Sequence, residues 1–121
     1  MAKLVILYNG RKLEEINLST DKVRIGRSDI NQVHLDNPTI SRYHAEIYRQ
    51  GLIFTLIDKK STNGTLLNNF PVSRKQLNDY DEIRIGPYQL VFILESADEP
   101  KSVTRQSFDS SETQLELPVN S

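Results

Sequence analysis

The stretch Asp58-Lys-Lys-Ser-Thr-Asn-Gly-Thr-Leu-Leu-Asn68 lies near the middle of the 121-residue chain and follows an apolar run. Its Asn63-Gly64 pair predicts a hairpin turn between two strands, because Asn and Gly adopt positive φ more easily than other residues. A hairpin, however, needs only the two turn residues. The two lysines and two hydroxyl residues that precede the turn therefore require a further explanation.

Short strand patterns separated by turn residues extend from this stretch in both directions. Asn9-Gly10 and Gly86-Pro87 predict two further turns, and no window has a sustained apolar period of 3.6 residues. Many short strands at regular spacing predict an all-β protein, an antiparallel β-sandwich or barrel. The predicted strands cover residues 3–8, 13–18, 23–25, 33–35, 44–49, 52–57, 81–85 and 88–94.

Three of these strands carry more specific predictions. The adjacent pair Glu14-Glu15 indicates a sheet edge or a bulge in its strand. In the strand at 44–49, alternation places Ala45 and Ile47 inward and Glu46 outward. Residues 52–57 are apolar on both faces, which favours a central position in a sheet.

Composition limits the possible classes of protein. Hydrophobic residues make up 37% and charged residues 26%, which suits one soluble domain. The net charge of -1 gives no electrostatic reason to expect nucleic acid or an anionic membrane as a partner. The chain has no cysteine, which excludes disulfides and thiolate metal sites, and its N-terminal apolar run is too short for a signal peptide or membrane span. We expect a cytoplasmic protein that needs no metal or cofactor.

The composition changes after Glu95. Residues 96–121 are rich in Ser, Thr, Asp and Glu, which predicts a disordered tail or linker. They hold two basic and five acidic residues, so they carry -3 and leave +2 on the predicted folded domain, residues 1–95. Thr104 and Thr113 are possible regulatory phosphorylation sites in the tail, and once phosphorylated either could dock onto its own or a neighbouring domain and cause self-association.

Three polar clusters, at residues 25–28, 40–44 and 59–65, interrupt the strand pattern. Each lies between apolar segments and is therefore predicted to be a loop. The loops of a sandwich gather at its two ends, so these three clusters can converge on one surface.

Convergence of these loops would assemble donors suited to an anion. Arg27 and Arg42 each offer five N–H donors in a planar fork, and Ser41 and Thr62 add hydroxyl groups. Asn63 has an amide that can both donate to and accept from an extended peptide backbone. No carboxylate lies within the three motifs that carry these residues. The set can hold a dianion such as a phosphorylated side chain on a peptide, and it contains nothing to attack one.

Each cluster also has a simpler interpretation. Asn63-Gly64 is consistent with an ordinary hairpin, and a Gly-Arg pair after a strand is usually a solvated turn. Ser41 and His44 could serve only to fix their own loop. Lys59-Lys60, taken alone, is an exposed charge pair.

The order and spacing of the clusters resemble the forkhead-associated (FHA) family. The matching motifs are Gly-Arg at 26–27, Ser-Arg-Tyr-His at 41–44, and Ser-Thr-Asn-Gly-Thr at 61–65, on an all-β pattern. The resemblance covers roughly residues 3–95. It implies a twisted antiparallel β-sandwich of two sheets whose end loops bind phosphothreonine peptides, and it implies that the partner is a threonine-phosphorylated protein or peptide in signalling.

The resemblance also implies roles for single residues. Arg27 matches the arginine that reaches the phosphate, Ser41 the serine that contacts it, and Arg42 the basic or polar contact that follows. Thr62 matches the hydroxyl residue that lines the phosphothreonine site. Asn63 matches the asparagine that hydrogen-bonds the main chain of the ligand.

Further matches concern the shape of the loops. Gly26, His44 and Gly64 match positions that shape the loops without touching the ligand. Asn68 matches the asparagine that follows the next strand, whereas Asn69 stands where a glycine is common. The resemblance therefore does not define the type of turn at this position. The residues that match phosphate contacts are not affected.

Other functions have weaker support in the sequence. Ser41, His44 and Asp58 could form a catalytic triad, but no Gly-x-Ser-x-Gly turn is present. A nucleic-acid role lacks a basic stripe interleaved with aromatic residues. The alternative to phosphopeptide recognition is a constitutive protein-interaction scaffold whose phosphate site is unused. We therefore expect a non-catalytic binding module.

Overall fold

The computed structural model describes residues 2–95, which form eleven strands in two sheets. Within these residues there is no helix, so none that is long and apolar enough to cross a membrane. The strands are β1 (Ala2–Tyr8), β2 (Arg11–Asn17), β3 (Lys22–Gly26), β4 (Val33–His34), β5 (Ala45–Gln50), β6 (Ile53–Asp58), β7 (Leu66–Leu67), β8 (Phe70–Pro71), β9 (Arg74–Gln76), β10 (Glu82–Ile85) and β11 (Tyr88–Leu94).

The predicted all-β architecture of two sheets is confirmed. One sheet has six strands in the order β2-β1-β11-β10-β7-β8, and the other has five in the order β4-β3-β5-β6-β9. Strand pairs are antiparallel, except that β3 and β4 pair in parallel through Ile25↔Val33 and Gly26↔His34. The prediction of an antiparallel sandwich therefore holds apart from this short pair. Residues 96–121, with Thr104 and Thr113, lie outside the described residues.

Alternating apolar residues of both sheets form a single core. In β1, Leu4 and Ile6 are buried while their neighbours are only half-buried, as expected for a strand with one face on the core. The rings of Phe54 and Phe92 pack across the two sheets with centroids 5.2 Å apart. Other fully buried side chains are Leu18, Ile25, Leu35, Ile40, Ile47, Leu56, Ile83, Ile85 and Leu90.

Strand β2 is both an edge strand and a bulged one, as the Glu14-Glu15 pair predicts. It lies at the end of the six-stranded sheet. Ile6 pairs with Glu14 and Leu7 with Lys12, so Leu13 is the extra residue of the bulge. Most of its side chains are exposed, because no further strand from residues 2–95 pairs with its outer edge.

Two predictions about individual residues need refinement. Strand β6 is an interior strand, as predicted, because it pairs with β5 on one side and with β9 on the other. Its two faces are not equally covered, however, since Ile53 is 47% exposed, and Leu52 lies in the β5–β6 turn and is 91% exposed. Ala45 and Ile47 are buried as predicted, but the outward Glu46 is also largely covered. Its side chain is only 11% exposed, because Arg24 and Lys59 lie against it.

The stretch from Asp58 to Asn68 is not a hairpin, and that prediction was wrong. Strand β6 belongs to the five-stranded sheet and β7 to the six-stranded sheet, so residues 59–65 cross from one sheet to the other. The hairpin comes next, at Asn68-Asn69, where φ values of 50° and 73° allow a two-residue turn between β7 and β8. Asparagine adopts this conformation more easily than most residues, so the missing glycine is tolerated here.

Candidate functional site

His44 joins two of the three polar loops at one end of the sandwich. Its ring is fully buried. Nδ1 accepts a hydrogen bond from the backbone N–H of Ser41 (3.1 Å), and Nε2 lies 2.9 Å from the carbonyl oxygen of Gly64. Because Nδ1 accepts and a carbonyl can only accept, the proton of the ring belongs on Nε2. One side chain thus holds the 40–44 loop against the 59–65 loop.

Two more hydrogen bonds close the contact between these loops. The backbone N–H of Thr62 donates to Ser41 Oγ (3.0 Å), and Asn63 Nδ2 donates to the carbonyl oxygen of Thr39 (2.7 Å). Ser41 Oγ accepts this bond with a lone pair, so its own O–H remains able to donate. The Oδ1 atom of Asn63 likewise remains able to accept. Both side chains are fixed in place and still have bonding capacity for a ligand.

The loop that begins at Arg27 is held against the same 40–44 loop. Arg27 donates its backbone N–H to the Ser41 carbonyl (3.0 Å) and its Nε to the Ile40 carbonyl (2.9 Å). The hydrogen bond at Nε therefore fixes the orientation of the exposed guanidinium. Its terminal nitrogens make no hydrogen bond within residues 2–95. Gly26 permits this contact, because a Cβ there would lie 2.2 Å from the carbonyl oxygen of Arg42.

All five predicted ligand-contacting residues lie on these converging loops. Arg27, Ser41, Thr62 and Asn63 are linked by the contacts just described. Arg42 has an exposed side chain in the same loop as Ser41, and its backbone carbonyl accepts from the Ser28 N–H (3.3 Å). The loops contribute guanidinium, hydroxyl and amide groups at one surface, which is the chemistry that the sequence predicted.

The three loop-shaping residues also occupy structural positions. Gly26 allows close backbone approach, His44 bridges two loops, and Gly64 has a φ of 86° that side-chain-bearing residues adopt with difficulty. The carbonyl of Gly64 is the one that faces His44 Nε2. The positive φ of Gly64 therefore helps to place the carbonyl group that His44 contacts.

Asp58 organises the 59–65 loop, a role that the sequence analysis missed. Its carboxylate accepts hydrogen bonds from the Ser61 N–H (3.1 Å), the Ser61 hydroxyl and the Thr65 hydroxyl (2.7 Å). Ser61 Oγ in turn accepts from the N–H of Gly64 (3.0 Å). The spacing Asp-x-x-Ser is the signal that could have identified this local network.

These hydrogen bonds decide the ionisation of Asp58. Partial burial acts to raise its pKa, but the hydrogen bonds from Ser61 and Thr65 outweigh burial and hold the pKa below its ordinary value of 3.8. Asp58 is therefore ionised near neutral pH and acts as an acceptor that orders the loop.

Two further residues missed in the sequence support the other loops. Asn31 is buried, and its Nδ2 donates to the carbonyls of Ser28 (2.9 Å) and Arg42 (2.8 Å). Thr39 supplies the carbonyl that fixes Asn63. Neither residue belongs to a motif of its own, so only the folded arrangement identifies them.

The hypothetical triad of Ser41, His44 and Asp58 does not form. Both ring nitrogens of His44 face backbone groups, and Ser41 Oγ instead receives a bond from the Thr62 N–H. Asp58 accepts from Ser61 and Thr65. Among residues 2–95 there is also no group of three or more His, Asp or Glu side chains placed to hold a metal ion.

The FHA domain family model matches residues 23–86, which include all three polar loops. The chain belongs to the FHA domain family. Over 68 residues it is 43% identical to the oxoglutarate dehydrogenase inhibitor of Corynebacterium diphtheriae, a region that covers 56% of this chain and 48% of that protein. It is 41% identical, also over 68 residues, to the glycogen accumulation regulator GarA of Mycolicibacterium smegmatis, covering 56% of this chain and 43% of GarA. This FHA chain spans about half the length of the curated relatives it matches.

Solved FHA structures agree with the fold. A structure from a structural and functional analysis of phosphothreonine-dependent FHA domain interactions is 33% identical, with a TM-score of 0.68 over 78% of this chain and 97% of that one. Mycobacterium tuberculosis EmbR, solved in complex with a low-affinity phosphopeptide, is 31% identical, with a TM-score of 0.72 over 82% of this chain and 26% of that one.

Proposed function

We propose that this FHA domain is a non-catalytic module that recognises phosphothreonine peptides and mediates phosphorylation-dependent protein–protein interaction in signalling. The observation that carries the proposal is the convergence of three polar loops through His44 and Ser41. The names of the relatives support it, since they describe an inhibitor and a regulator, and one structural relative comes from work on phosphothreonine-dependent FHA interactions.

The arrangement suits a phosphate dianion on a peptide. The free terminal nitrogens of Arg27, the hydroxyl of Ser41 and the exposed side chains of Arg42 and Thr62 can donate to phosphate oxygens. Asn63 is fixed through its Nδ2, so its Oδ1 can accept a backbone N–H of the ligand. Phosphothreonine is expected over phosphoserine, because one buried methyl contributes about 1 kcal/mol, or roughly fivefold in affinity.

Calorimetric titration tests this function. Peptides of one sequence that carry phosphothreonine, phosphoserine or unmodified threonine would be titrated into the wild type and into Arg27→Ala. We expect the order phosphothreonine, phosphoserine, unmodified for the wild type, and at least a tenfold loss of phosphopeptide affinity in Arg27→Ala, because a charge-assisted bidentate contact contributes about 1.5–3 kcal/mol. Equal binding of all three peptides would refute the proposal.

The constitutive scaffold predicts a different result. If the phosphate site were unused, Arg27→Ala and Ser41→Ala would recover the same partners from cells as the wild type. Phosphorylation-dependent recognition predicts that both variants lose those partners, while His34→Ala, altered in an exposed strand residue, retains them.

Self-association through the tail is a further part of the proposal. Phosphorylated Thr104 or Thr113 would compete with an external peptide, because tethering gives an effective concentration of about 1 mM for a short linker. Sedimentation and peptide affinity would be measured before and after kinase treatment. Docking onto the same chain would lower the affinity for the external peptide, and docking onto a neighbouring copy would also change the sedimentation. No change in either measurement would rule docking out. The cytoplasmic location stays a prediction.

A further inference from the structure

A groove lies at the side of the sandwich where both sheets end. Strands β8 and β9 are the end strands of the six-stranded and five-stranded sheets, and they follow each other directly in the chain. Residues of both strands line a groove of about 620 Å³, a volume within the range for binding pockets. We call it the lateral groove. None of the five residues predicted to contact a phosphopeptide lines it.

Part of the lateral groove is apolar and uncovered. Leu67 is buried, Val72 is half-buried against the core, and Phe70 is 72% exposed. A large aromatic side chain that lines a groove and is mostly uncovered offers apolar surface to a ligand. Protection of the sheet edge does not account for Phe70, because an exposed apolar residue favours contact with another chain segment.

Strand β9 adds positive charge to the lateral groove. Arg74 and Lys75 are exposed and line it, and neither forms an ion pair with any residue from 2 to 95. Lys75 lies opposite the fully buried Leu56 in the pairing of β9 with β6, so Lys75 is on the core-facing side of the sheet and Arg74 on the outer side. The groove therefore suits a ligand with apolar and acidic side chains.

The outer edge of β9 has unpaired backbone groups. No strand from residues 2–95 pairs with this edge, and the carbonyl of Ser73 and the N–H of Leu77 are bonded to β6. Because bonding alternates along an antiparallel strand, the N–H groups of Arg74 and Gln76 point to the free edge. An extended segment can add there as a further strand. The edge of β8 is less suitable, because Pro71 has no N–H.

The tail of the chain contains a segment of matching chemistry. Residues 114–119 are Gln-Leu-Glu-Leu-Pro-Val, and Leu115 and Leu117 are the only leucines in residues 96–121. In an extended conformation these two side chains lie on one face and Glu116 on the other. Residues 106–121 contain three acidic residues and no basic residue, so their charge is complementary to that of β9.

The lateral groove is within reach of this segment. The N–H of Leu94 donates to Asp79 Oδ1 (2.8 Å) and that of Asn68 to the Glu82 carbonyl (2.8 Å), so the end of β11 and the β7–β8 turn lie at the same end of the sandwich. Three strand spacings, about 15 Å, separate β11 from β8. Residues 96–113 can span up to about 60 Å, which is more than this separation requires.

We propose that residues 114–119 dock in the lateral groove as a strand added to β9. Leu115 and Leu117 pack beside Phe70, and Glu116 faces Arg74 on the outer side of the sheet. The contact requires no phosphate and is therefore independent of phosphothreonine recognition. A partner segment with the same pattern of acidic and apolar residues would compete with the tail for the groove.

Amide hydrogen exchange in the full chain, followed by NMR, tests the docking. The amides of Arg74 and Gln76 should exchange about threefold more slowly in the wild type than in the double variant Leu115→Ser/Leu117→Ser, because tethering gives an effective concentration of about 1 mM. Phe108→Ser changes an apolar tail residue outside the segment and should leave both rates at their wild-type values. These substitutions lie outside residues 2–95, so they leave the core of the sandwich unchanged.

An exchange of charges tests the orientation of the docked segment. Arg74→Glu should raise the exchange rate of the Gln76 amide to that of the double leucine variant, and Arg74→Glu combined with Glu116→Arg should restore slow exchange. The combination of Arg74→Glu with Glu112→Arg is the matched control. It has the same net charge but alters a residue outside the segment, so it should not restore slow exchange.

Three results would overturn the proposal. Equal exchange rates in the wild type and the double leucine variant would refute docking. An effect of Phe108→Ser without an effect of the leucine changes would assign the groove to another part of the tail, and protection that rises with protein concentration would assign it to a second copy of the chain. The measurement uses neither peptide nor kinase, so each of these results leaves phosphothreonine recognition unaffected.

Discussion

The chain contains two Asn-Gly pairs, and they form different structures. Asn9-Gly10 has positive φ at both residues, 54° and 76°, and makes a two-residue turn between β1 and β2 in one sheet. At Asn63-Gly64 only the glycine has positive φ, and the strands on either side belong to different sheets. The first pair is a hairpin turn and the second is part of a crossing loop.

Long-range contacts account for the difference. A Cβ at either glycine would meet nothing within 4 Å, so local space does not distinguish them. Asn63, however, bonds to Thr39, and Gly64 bonds to Ser61 and faces His44. The conformation of Asn9-Gly10 follows from the dipeptide, whereas that of Asn63-Gly64 depends on partners up to 24 residues away.

The largest effect is expected from His44→Ala. This change removes a fully buried ring and leaves two partly buried groups, the N–H of Ser41 and the carbonyl of Gly64, without their partner, which should lower the free energy of unfolding by about 2–4 kcal/mol. Chemical denaturation measures the loss. His34→Ala, at the exposed second histidine, should stay within about 0.5 kcal/mol of the wild type. Equal losses of stability in the two variants would mean that the contacts of His44 with Ser41 and Gly64 do not stabilise the crossing loop.

The next effect concerns Asp58 and depends on pH. Asp58→Asn weakens the acceptor for Ser61 and Thr65 and should lower the free energy of unfolding by about 1–2 kcal/mol near neutral pH. Because the folded-state pKa of Asp58 is lowered, its stabilising contribution is full above the ordinary pKa of 3.8 and is lost as pH falls through the folded pKa. The wild type and Asp58→Asn should therefore converge in stability on acidification.

Denaturation curves between about pH 6 and about pH 3 measure this convergence. A difference between the two proteins that stays constant across the range would contradict the assignment of Asp58 as an ionised acceptor. Asp79→Asn is a suitable reference substitution, because this exposed aspartate accepts, from within the described part of the chain, the N–H of Leu94 alone.

A smaller effect, equal at the two glycines, is expected from Gly10→Ala and Gly64→Ala. Both sites have positive φ and open space, so each change should cost about 1 kcal/mol of backbone strain. Only Gly64→Ala should also weaken phosphopeptide binding, because its carbonyl faces His44. Thermal unfolding and calorimetry on both variants give the comparison. A loss of binding in Gly10→Ala would show that the two pairs are not functionally distinct.

The smallest change in stability is expected from the two asparagines. Asn9→Ala and Asn63→Ala should each destabilise the protein by no more than about 1 kcal/mol, through the positive φ of Asn9 and the lost bond of Asn63 to Thr39, because both side chains are otherwise exposed. The two variants should differ in their affinity for a phosphothreonine peptide. Asn63→Ala should weaken phosphothreonine-peptide binding about tenfold by removing a main-chain contact, while Asn9→Ala should bind normally. If Asn63→Ala bound with wild-type affinity, the role assigned to this amide would be wrong.

The sequence alone predicted the features that depend on residues close together in the chain. The bulge in β2, at Leu13 beside Glu14-Glu15, and the turns at Asn9-Gly10 and Gly86-Pro87 all follow from neighbouring residues. The three polar loops were located by the same patterns, and their convergence follows from the architecture of a two-sheet sandwich.

Features that depend on distant partners could not be predicted. The dipeptide at Asn63-Gly64 does not reveal that β6 and β7 lie in different sheets. Nor does alternation show that Glu46 is covered by Arg24 and Lys59, since the three residues come from different segments. Asp58 is intermediate, because its bonds to Ser61 and Thr65 are local and the spacing would have indicated them.

The most direct test of the phosphothreonine site is an NMR titration of the ¹⁵N-labelled protein with a phosphothreonine peptide. A site formed by the three polar loops predicts that the largest amide shifts occur at Arg27, Ser41, Arg42, Thr62 and Asn63, and that Asn9 and Gly10 do not shift. The unphosphorylated peptide should leave all of these amides unchanged. Shifts centred away from the three loops, or equal shifts with the unphosphorylated peptide, would contradict it.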